Sequence, residues 1–373
     1  MSTARTDVPN PVQRLLWGVA AGRCEFEGCN KPLYRHEVTD DPGNFSEKAH
    51  IHAVSPKGSR YDPELIDVNK FENLMLVCPM CHKVIDRDPY KYTADYLFEM
   101  KRKHEERIII VTDIDANRKS TVLLYAANIA GNRQPISESK AKEALVQIGR
   151  YPTSNSPIDL SIARSFIDDN ESEFYLENMR NLDRAFGRDV RRIVEEGSHV
   201  SVFAFAPMPL LMYLGSMLND KYAIDVFQRQ GRNVDSWEWE KEYMPVEFMA
   251  HKIGTTGKKV AVSIALSTDI EENGIYEVLG EDTVIYKLTI SSPNRDFVTH
   301  PTVVNEFIKA SRSLLGQIKH DYRQLTELHV FPAMPVSLAV RFGMDYMPKI
   351  DSSMLIYDYI KSTGFIYALK IGG

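Results

Sequence analysis

The sequence predicts two domains of different fold class, a small α+β domain followed by a larger α/β domain. Its 373 residues exceed the usual size of one domain and suffice for two, each with its own core. All four cysteines lie before residue 82, whereas after residue 119 β-branched and aromatic runs alternate with helical patterns. We therefore divide the chain in the polar stretch 112–119, into domains of residues 1–115 and 116–373.

The composition is that of an ordinary globular protein, with 43% hydrophobic and 26% charged residues. The first residues lack the apolar core of a signal peptide and no run is long enough to span a bilayer, so we expect a cytoplasmic protein with no membrane partner. A net charge of −6 excludes a protein that coats nucleic acid through bulk electrostatics. Residues 1–115 hold 16 Lys and Arg against 19 Asp and Glu, so any contact with nucleic acid must be local.

The cysteines form two close pairs, Cys24 with Cys29 and Cys78 with Cys81. In a cytosolic chain such pairs are more often metal ligands than disulfides. Four thiolates complete the tetrahedral shell of a structural Zn²⁺, which would stabilise a small domain with a thin core. The alternative, four unrelated reduced cysteines, is disfavoured because chance rarely places every cysteine of a chain in two such pairs.

Hydrophobic periodicity predicts the regular elements. In the first domain it predicts a helix over 93–107, with Thr93 as N-cap. In the second domain it predicts strands at 120–126, 200–205, 260–266, 283–290 and 327–331, and helices at 173–195, 209–218, 301–318 and 335–342.

One internal similarity links two of these regions. The segments 205–209 and 331–335 are each the end of an apolar strand that reaches Met-Pro and runs into a helix. When the two Met-Pro pairs are aligned, the later glycines Gly215 and Gly343 fall two positions out of step. The pattern therefore suggests an internal repeat without establishing one.

Three polar residues stand around the cysteine pairs: His50 and Asn73 between them, and His82 directly after Cys81. A strand ending in His, a second strand opening with Asn and a helix carrying a second His resemble the ββα-metal fold of HNH endonucleases. The resemblance implies cleavage of double-stranded DNA. It assigns His50 as the base for the attacking water, Asn73 as the residue that orients this base, and His82 as a ligand of Mg²⁺ or a similar ion.

The remainder of the metal shell is left open. Asp86 follows His82 by one helical turn on the same helix face, so it either completes the shell of the ion or steadies the imidazole. Many HNH enzymes have an Asp metal ligand directly before the base, where this chain has Ala49.

Other residues near the motif have alternative interpretations. His52 lies two residues after His50 on the same strand face and is the competing base. Arg60 and Lys101 are candidate contacts to DNA phosphates. For the basic run 101–103, a solvated helix face is favoured over a contact with phosphates.

In the second domain, a strand that runs straight into a helix offers N–H groups to an anion, and Pro209 and Pro335 occupy first-turn positions. Two such helix ends predict a cradle for two phosphates. Ligands of open α/β sheets bind at the carboxyl ends of the strands. The predicted ligand site is therefore Pro207, Met208, Ser267, Thr268, Pro332, Ala333 and Met334. Trp237 and Trp239 are candidate stacking faces for a base, with burial in the core as the alternative, which periodicity alone favours.

The order of these motifs, 202–209, then Trp237-Glu238-Trp239, then 331–335, resembles the SAVED domain, in which two CARF-like, Rossmann-like halves are fused. Joined to an HNH domain, the whole chain resembles the HNH-SAVED effectors of bacterial cyclic-oligonucleotide-based antiphage signalling (CBASS). The resemblance implies a nuclease that is idle until a cyclic di- or trinucleotide binds, with a cGAMP-type dinucleotide favoured. It also implies a homo-oligomer, dimeric at rest and larger when activated, in the bacterial cytoplasm.

Two other functions stay open at this point. One is a constitutive, restriction-type HNH nuclease whose second domain reads DNA. The other is a non-enzymatic, zinc-bearing DNA-binding regulator with a small-molecule sensor.

Overall fold

A computed structural model of the chain describes residues 7–129, 131, 135–162, 167, 171, 173–231 and 236–372. The chain divides into two compact units, Met1–Asp115 and Ala116–Gly373, and each has its own hydrophobic core. In the part of the chain that is described, no helix is long and apolar enough to cross a membrane.

The first unit is built on a β-hairpin followed by helices. Its elements within residues 7–115 are α1 Asn10–Val19, β1 Glu47–His50, β2 Leu74–Val77, α2 Pro79–Arg87 and α3 Ala94–Thr112. The strands are antiparallel, with Glu47 opposite Val77 and His50 opposite Leu74. The β2 strand is a run of four apolar residues, all buried, and it forms the centre of the small core.

Local sequence explains where the helices of this unit begin. Thr93 is the N-cap of α3, as predicted, and its hydroxyl accepts the N–H of Tyr96 at 3.3 Å. Pro79 occupies the first turn of α2, where a missing N–H costs nothing. The α3 helix continues to Thr112, five residues beyond the predicted end.

The described residues of the second unit form two sheets. The first sheet is parallel and consists of β3 Lys119–Ala126, β4 Tyr151–Pro152, β5 Ile158–Asp159, β6 Val200–Phe205 and β7 Ile224–Val226. Its strand order is β4-β3-β6-β7, with β5 also paired to β3. The helices of this region are α4 Glu138–Gln147, α5 Glu173–Ala185, α6 Arg191–Glu195 and α7 Met208–Leu218.

The second sheet is mixed. It consists of β8 Phe248–Ile253, β9 Lys259–Ala265, β10 Thr283–Ile290, β11 Glu327–Ala333, β12 Ser353–Ile360 and β13 Gly364–Ile371. Its order is β13-β12-β11-β9-β10-β8, parallel inside and antiparallel at both edges. The helices here are α8 Glu272–Leu279, α9 Pro301–Asp321 and α10 Val336–Met344.

All five predicted strands of this unit are present, with ends shifted by two residues at most. The predicted helix 173–195 is divided by a π-helical turn at Phe186–Val190 into α5 and α6. Apolar spacing did not reveal this turn, because one wide turn changes the phase of the helix without changing its composition. The strands β4, β5, β7, β8, β12 and β13 were not predicted.

The internal similarity seen in the sequence corresponds to two equivalent strand-to-helix junctions. Pro207 precedes α7 with φ −53° and ψ 143°, and Pro335 precedes α10 with φ −57° and ψ 149°. With these prolines aligned, Gly215 and Gly343 are each the eighth residue of their helix. The two-residue mismatch came from aligning Met-Pro to Met-Pro, and it disappears when the junctions themselves are aligned.

The two glycines lie where α7 and α10 cross. A Cβ at Gly215 would stand 2.1 Å from the carbonyl oxygen of Val340, and a Cβ at Gly343 would stand 2.0 Å from that of Met212. Because no side chain fits at either position, the backbones of the two helices pack directly on each other.

Candidate functional site

The four cysteines come together in the first unit. The Sγ atoms of Cys24, Cys29, Cys78 and Cys81 all lie within 4.8 Å of one another, and those of Cys29 and Cys78 are 4.0 Å apart. A tetrahedral zinc with 2.3 Å bonds places its sulfurs about 3.8 Å apart. The donor set and the spacing therefore fit a structural zinc ion.

Backbone groups and burial define the electrostatics of this cluster. The N–H of Cys78 donates to Cys24 Sγ at 3.3 Å, and the N–H of Cys81 donates to Cys78 Sγ at 3.4 Å. Burial raises the pKa of Cys24 to about 12, since a thiolate is poorly solvated there. The cluster joins the segment after α1 to the junction of β2 and α2, which carries His82.

His50 ends β1, and its ring is held by an amide. Its Nε2 lies 2.9 Å from Oδ1 of Asn69, a residue that is only 9% exposed. An amide oxygen accepts, so the neutral ring carries its proton on Nε2 and has its lone pair on Nδ1. This is the protonation state that a general base needs.

The role of Asn73 in the structure differs from the predicted role. Its Oδ1 accepts the N–H of His52 at 2.8 Å, and its Nδ2 donates to the carbonyl oxygens of His52 and Val68 at 3.1 and 2.8 Å. The side chain is fully buried. The assignment of Asn73 as the residue that orients His50 is therefore corrected: Asn69 contacts the ring, and Asn73 fixes the backbone that follows it. The sequence offered no motif signal for Asn69.

His82 lies on α2 between two carboxylates. Its Nδ1 is 2.5 Å from Oε2 of Glu47, and its Nε2 faces Oδ2 of Asp86 at 3.6 Å. The hydrogen bond to Glu47 places the ring proton of His82 on Nδ1. The unprotonated Nε2 of His82 and the Oδ2 of Asp86 therefore face each other, and each has a lone pair that can bind a metal ion. Ligands of an octahedral Mg²⁺ are about 3.0 to 4.2 Å apart, and the gap falls within that span. Glu47 had not been singled out from the sequence.

Glu47 lies two residues before Ala49 and so on the same face of β1. Ala49 is buried in the core of the unit. Position 49 lacks the carboxylate that many HNH enzymes have, but Glu47 supplies one on the same strand face, two residues earlier. This carboxylate contacts His82.

Arg60 and His52 are held inside the unit. The Arg60 side chain is 7% exposed, and its guanidinium donates to the carbonyl oxygens of Ile51 and Tyr92 at 2.9 and 3.2 Å. It also lies 3.7 Å from Oδ1 of Asp86. The Nδ1 of His52 bonds to the Arg60 carbonyl oxygen at 2.8 Å. The prediction that Arg60 contacts a DNA phosphate is therefore corrected, because its donors are used on the backbone and on Asp86.

Lys101 is also buried rather than available to DNA. Its side chain is 6% exposed and lies over the ring of Phe71, with Nζ 3.9 Å from the centroid. The same Nζ is 2.6 Å from Oε1 of Glu105 and 3.9 Å from Oε1 of Glu25. Neither the predicted phosphate contact nor the solvated helix face describes this residue, because α3 turns it toward the core.

In the second unit a cleft of about 400 Å³ lies where β6 and β11 meet the helices α7 and α10. Five predicted ligand residues line it: Met208, Ser267, Thr268, Ala333 and Met334. The sequence missed other lining residues, among them Phe205, Gln228, Arg229, Arg295 and Asp296. Pro207 and Pro332 are buried beside the cleft and do not line it.

The two tryptophans belong to the core. Trp237 is 0% exposed and packs edge-on against Phe203, with the ring centroids 5.4 Å apart. Trp239 is 9% exposed and lies 6.2 Å from Phe227. Neither lines the cleft, so core burial, the alternative left open by the sequence, describes both.

The cleft has its own flat cationic surface. The guanidinium of Arg229 lies 4.4 Å from the ring centroid of Phe205, and both residues line the cleft. A guanidinium over an aromatic ring forms a cation–π pair, and both groups can stack on nucleobases. Arg229 follows β7, a strand that the sequence did not predict.

The helix ends differ from the predicted phosphate cradles. In α7 the second residue is Pro209, which has no N–H. In α10 the N–H of the second residue, Ser337, already donates to Oε1 of Gln228 at 3.1 Å. The second residue of each helix therefore has no backbone N–H available for a phosphate. The cationic groups that line the cleft are Arg229 and Arg295.

Comparison with known proteins identifies the second unit. The family model of SAVED, the SMODS-associated and fused to various effectors sensor domain, matches residues 182–371. The chain belongs to the SAVED family. The resemblance seen in the sequence is thereby confirmed for this domain, whose mixed α/β sheets have been described.

Solved structures of two SAVED/CARF-domain containing receptors are among those that match this chain. One is the Acinetobacter baumannii Cap4 SAVED/CARF-domain containing receptor with the cyclic trinucleotide 2'3'3'-cAAA, at 12% identity and a TM-score of 0.42, covering 78% of this chain and 62% of that one. The other is the Moraxella osloensis Cap4 SAVED/CARF-domain containing receptor, at 10% identity and a TM-score of 0.37, covering 78% and 60%. The chain thus spans about three-fifths of the length of these receptors. A search of curated proteins returned no match.

Proposed function

We propose that this SAVED protein is a metal-dependent endonuclease that cuts double-stranded DNA when a cyclic oligonucleotide binds its sensor domain, as an effector of bacterial antiphage signalling. The observation that carries the proposal is the pairing, in one chain, of a SAVED sensor with a unit in which two histidines are each set by a polar partner. Those pairs are His50 with Asn69 and His82 with Glu47. Cytoplasmic location in a bacterium is part of the proposal.

The chemistry begins at His50. With its proton on Nε2, held by Asn69, the ring presents the Nδ1 lone pair to a water molecule. The base takes the proton of that water, whose oxygen attacks the phosphorus, and the bond to the leaving sugar oxygen breaks. Asn73 supports this step indirectly, because it fixes the backbone on the C-terminal side of the base.

His82 and Asp86 are the residues that would hold a divalent ion, with water and a DNA phosphate as its other ligands. When bound, Mg²⁺ supplies a positive charge that stabilises the phosphorane-like transition state and the departing oxygen. Glu47 keeps the proton of His82 on Nδ1, so that Nε2 faces Asp86. The guanidinium of Arg60 forms an ion pair with the other oxygen of Asp86 at 3.7 Å.

A structural zinc ion bound by the four cysteines would rigidify this arrangement. Cys78 caps α2 and Cys81 immediately precedes His82 in the same helix. A closed tetrahedral shell at the start of α2 would therefore fix the orientation of His82 toward β1.

The sensor cleft suits an anionic ligand with nucleobases. Arg229 and Arg295 supply positive charge, and Phe205 with Arg229 supplies the stacking surface. The Cap4 receptor has been solved with cyclic trinucleotides, and cGAMP-type dinucleotides belong to the same chemical class. We expect a cyclic di- or trinucleotide to be the activating ligand.

Assembly explains how binding would switch on cutting. The nuclease unit has more acidic than basic residues, and the two basic candidates for DNA contact are buried. One copy therefore binds DNA weakly, whereas several copies held together multiply weak contacts. We propose a homo-oligomer whose ligand-bound, larger form is the active nuclease.

A plasmid-cleavage assay tests the proposal. The purified chain with Mg²⁺ is incubated with supercoiled plasmid across a panel of cyclic di- and trinucleotides, including 3'3'-cGAMP and 2'3'3'-cAAA. One ligand is expected to trigger cutting, and His50→Ala should lower the rate by roughly 10²- to 10⁴-fold, the usual contribution of a general base. The exposed His36 in the same unit provides the matched control, His36→Ala, which should cut at the wild-type rate.

The outcomes separate the alternatives. Cutting with Mg²⁺ and no nucleotide would favour a constitutive restriction-type nuclease. No cutting with any nucleotide, although one binds, would favour a regulator without enzymatic activity. Sedimentation with and without the activating nucleotide tests assembly, and an unchanged mass under cutting conditions would refute the oligomerisation step.

A further inference from the structure

One of the residues that line the sensor cleft is a buried amide, Gln228. Gln228 follows β7 of the first sheet and is 5% exposed. Its Oε1 accepts both the N–H and the hydroxyl of Ser337, at 3.1 and 2.7 Å, and its Nε2 donates to the carbonyl oxygen of Arg229 at 2.9 Å. One side chain thus ties a segment of the first half to the first turn of α10 in the second half.

We infer that Gln228 is a positioning residue of the sensor cleft, which holds Arg229 at a set distance from α10 so that both halves contact one ligand. The inference rests on the proposed function, because it takes the cleft to be the nucleotide site. It goes beyond that function by naming the group that makes the two halves act as one site.

The chemistry of the contact supports this role. Ser337 is fully buried, so its hydroxyl and its N–H have no access to water and depend on the Gln228 oxygen. The Gln228 amide is likewise removed from water, and without this partner it would be destabilising where it lies. The three groups are therefore held in one arrangement.

A neighbouring contact strengthens the argument. Gln230, two residues along, donates from Nε2 to the carbonyl oxygen of Val298 at 3.2 Å, and Val298 lies three residues before the start of α9 in the second half. The segment 228–230 is thus joined to the second half at two points. Arg229 lies between these points, with its guanidinium over Phe205.

The asymmetry of the two junctions points the same way. At the α7 junction the second helical residue is Pro209, which needs no acceptor, whereas at the equivalent place in α10 stands Ser337. The first junction thus has a residue without an N–H at this position, whereas the second has Ser337, whose N–H donates to Gln228 of the other half. Such a difference at equivalent positions is explained if α10 has to be tied to the Arg229 segment.

Ligand affinity of variants of the full chain tests the inference. Binding of 3'3'-cGAMP and 2'3'3'-cAAA is measured by titration calorimetry for wild type, Gln228→Leu, Ser337→Ala and the double variant, and melting temperatures are recorded for all. Ser337 does not line the cleft, so an effect of Ser337→Ala on affinity cannot come from a lost ligand contact. Asn178→Leu is the matched control, because it removes a buried amide of the same unit away from the cleft.

We expect Gln228→Leu to weaken binding at least tenfold and Ser337→Ala about threefold, with the double variant no weaker than Gln228→Leu, as for residues that act through one contact. Asn178→Leu should lower the melting temperature without changing affinity. Affinity within twofold of wild type for Gln228→Leu, or effects that multiply in the double variant, would overturn the inference. Failure of the wild type to bind any nucleotide of the panel would instead overturn the proposed function, and the inference with it.

Discussion

Replacing Gly343 by alanine tests the contact between α7 and α10 that joins the two halves of the SAVED domain. The added Cβ would stand 2.0 Å from the carbonyl oxygen of Met212, with the carbonyl carbon and Cα of Met212 also within 3 Å. These are backbone atoms of a buried helix, so the clash is relieved only if the helices move apart. Overpacking of this kind costs about 1–3 kcal/mol, and contact with a backbone places it at the upper end, about 3 kcal/mol.

This cost is measurable as a thermal shift. For a domain of this size, about 1 kcal/mol corresponds to roughly 2–4 °C in melting temperature. We therefore expect the transition of the sensor domain in scanning calorimetry to fall by roughly 6–12 °C in Gly343→Ala. Gly215→Ala, whose Cβ would stand 2.1 Å from the Val340 oxygen, should shift it by a similar amount.

Gly316 provides a control of opposite sign. It lies within α9, is exposed, and a Cβ there meets nothing within 4 Å. Alanine should stabilise this helix by about 1 kcal/mol, because it restricts the unfolded chain more than glycine does. A Gly343→Ala protein that melts within 2 °C of the wild type, or above it like Gly316→Ala, would refute the direct backbone packing of α7 on α10.

Three further predictions concern the nuclease unit. Metal analysis of the purified chain should find about one zinc ion per molecule. Cys78→Ser should lose this zinc ion and destabilise the first unit. A full zinc content in that variant would contradict the four-cysteine site. Asn69→Ala should slow DNA cutting and leave the free energy of unfolding unchanged. Asn73→Ala should lower the free energy of unfolding, measured by denaturant titration, by about 2–4 kcal/mol, because it leaves buried backbone groups unpaired. Equal effects of the two variants on stability would argue against their separate roles. Glu47→Gln should weaken Mn²⁺ binding, followed by calorimetry, by about 10- to 100-fold, since a neutral amide accepts the Nδ1 proton of His82 less strongly than a carboxylate and leaves the ring a weaker metal ligand. Unchanged Mn²⁺ affinity would show that Glu47 does not act on the metal site.

Features that depend on neighbours along the chain were predictable from the sequence. The apolar runs of β6, β9 and β10 are buried parallel strands that read as continuous hydrophobic stretches. The cap at Thr93 depends on one hydroxyl and a backbone three residues away. The motifs around the two strand-to-helix junctions, with Trp237-Glu238-Trp239 between them, carried the resemblance to the SAVED domain, and the family match confirms it.

The partners of the site residues were not predictable in this way. Asn69 rather than Asn73 holds His50, and Glu47 rather than a residue at position 49 reaches His82. Both results depend on how the loop before β2 and the helix α2 lie against β1. A motif fixes which residue types occur in order, but it does not state which amide or carboxylate packs beside a given ring.

Burial decided the remaining differences. A short sequence motif does not show whether a basic or aromatic residue faces solvent or the core. Arg60, Lys101 and Trp237 were therefore predicted as ligand contacts, whereas the structure buries all three. Gln228 and Ser337 are separated by 109 residues and meet only because two halves fold onto each other. The sequence by itself therefore determined the five strands that were predicted in the second unit and the SAVED family, because these follow from local pattern. Tertiary structure alone decided which polar groups pair, because in a packed interior each buried donor must find its acceptor in space rather than along the chain.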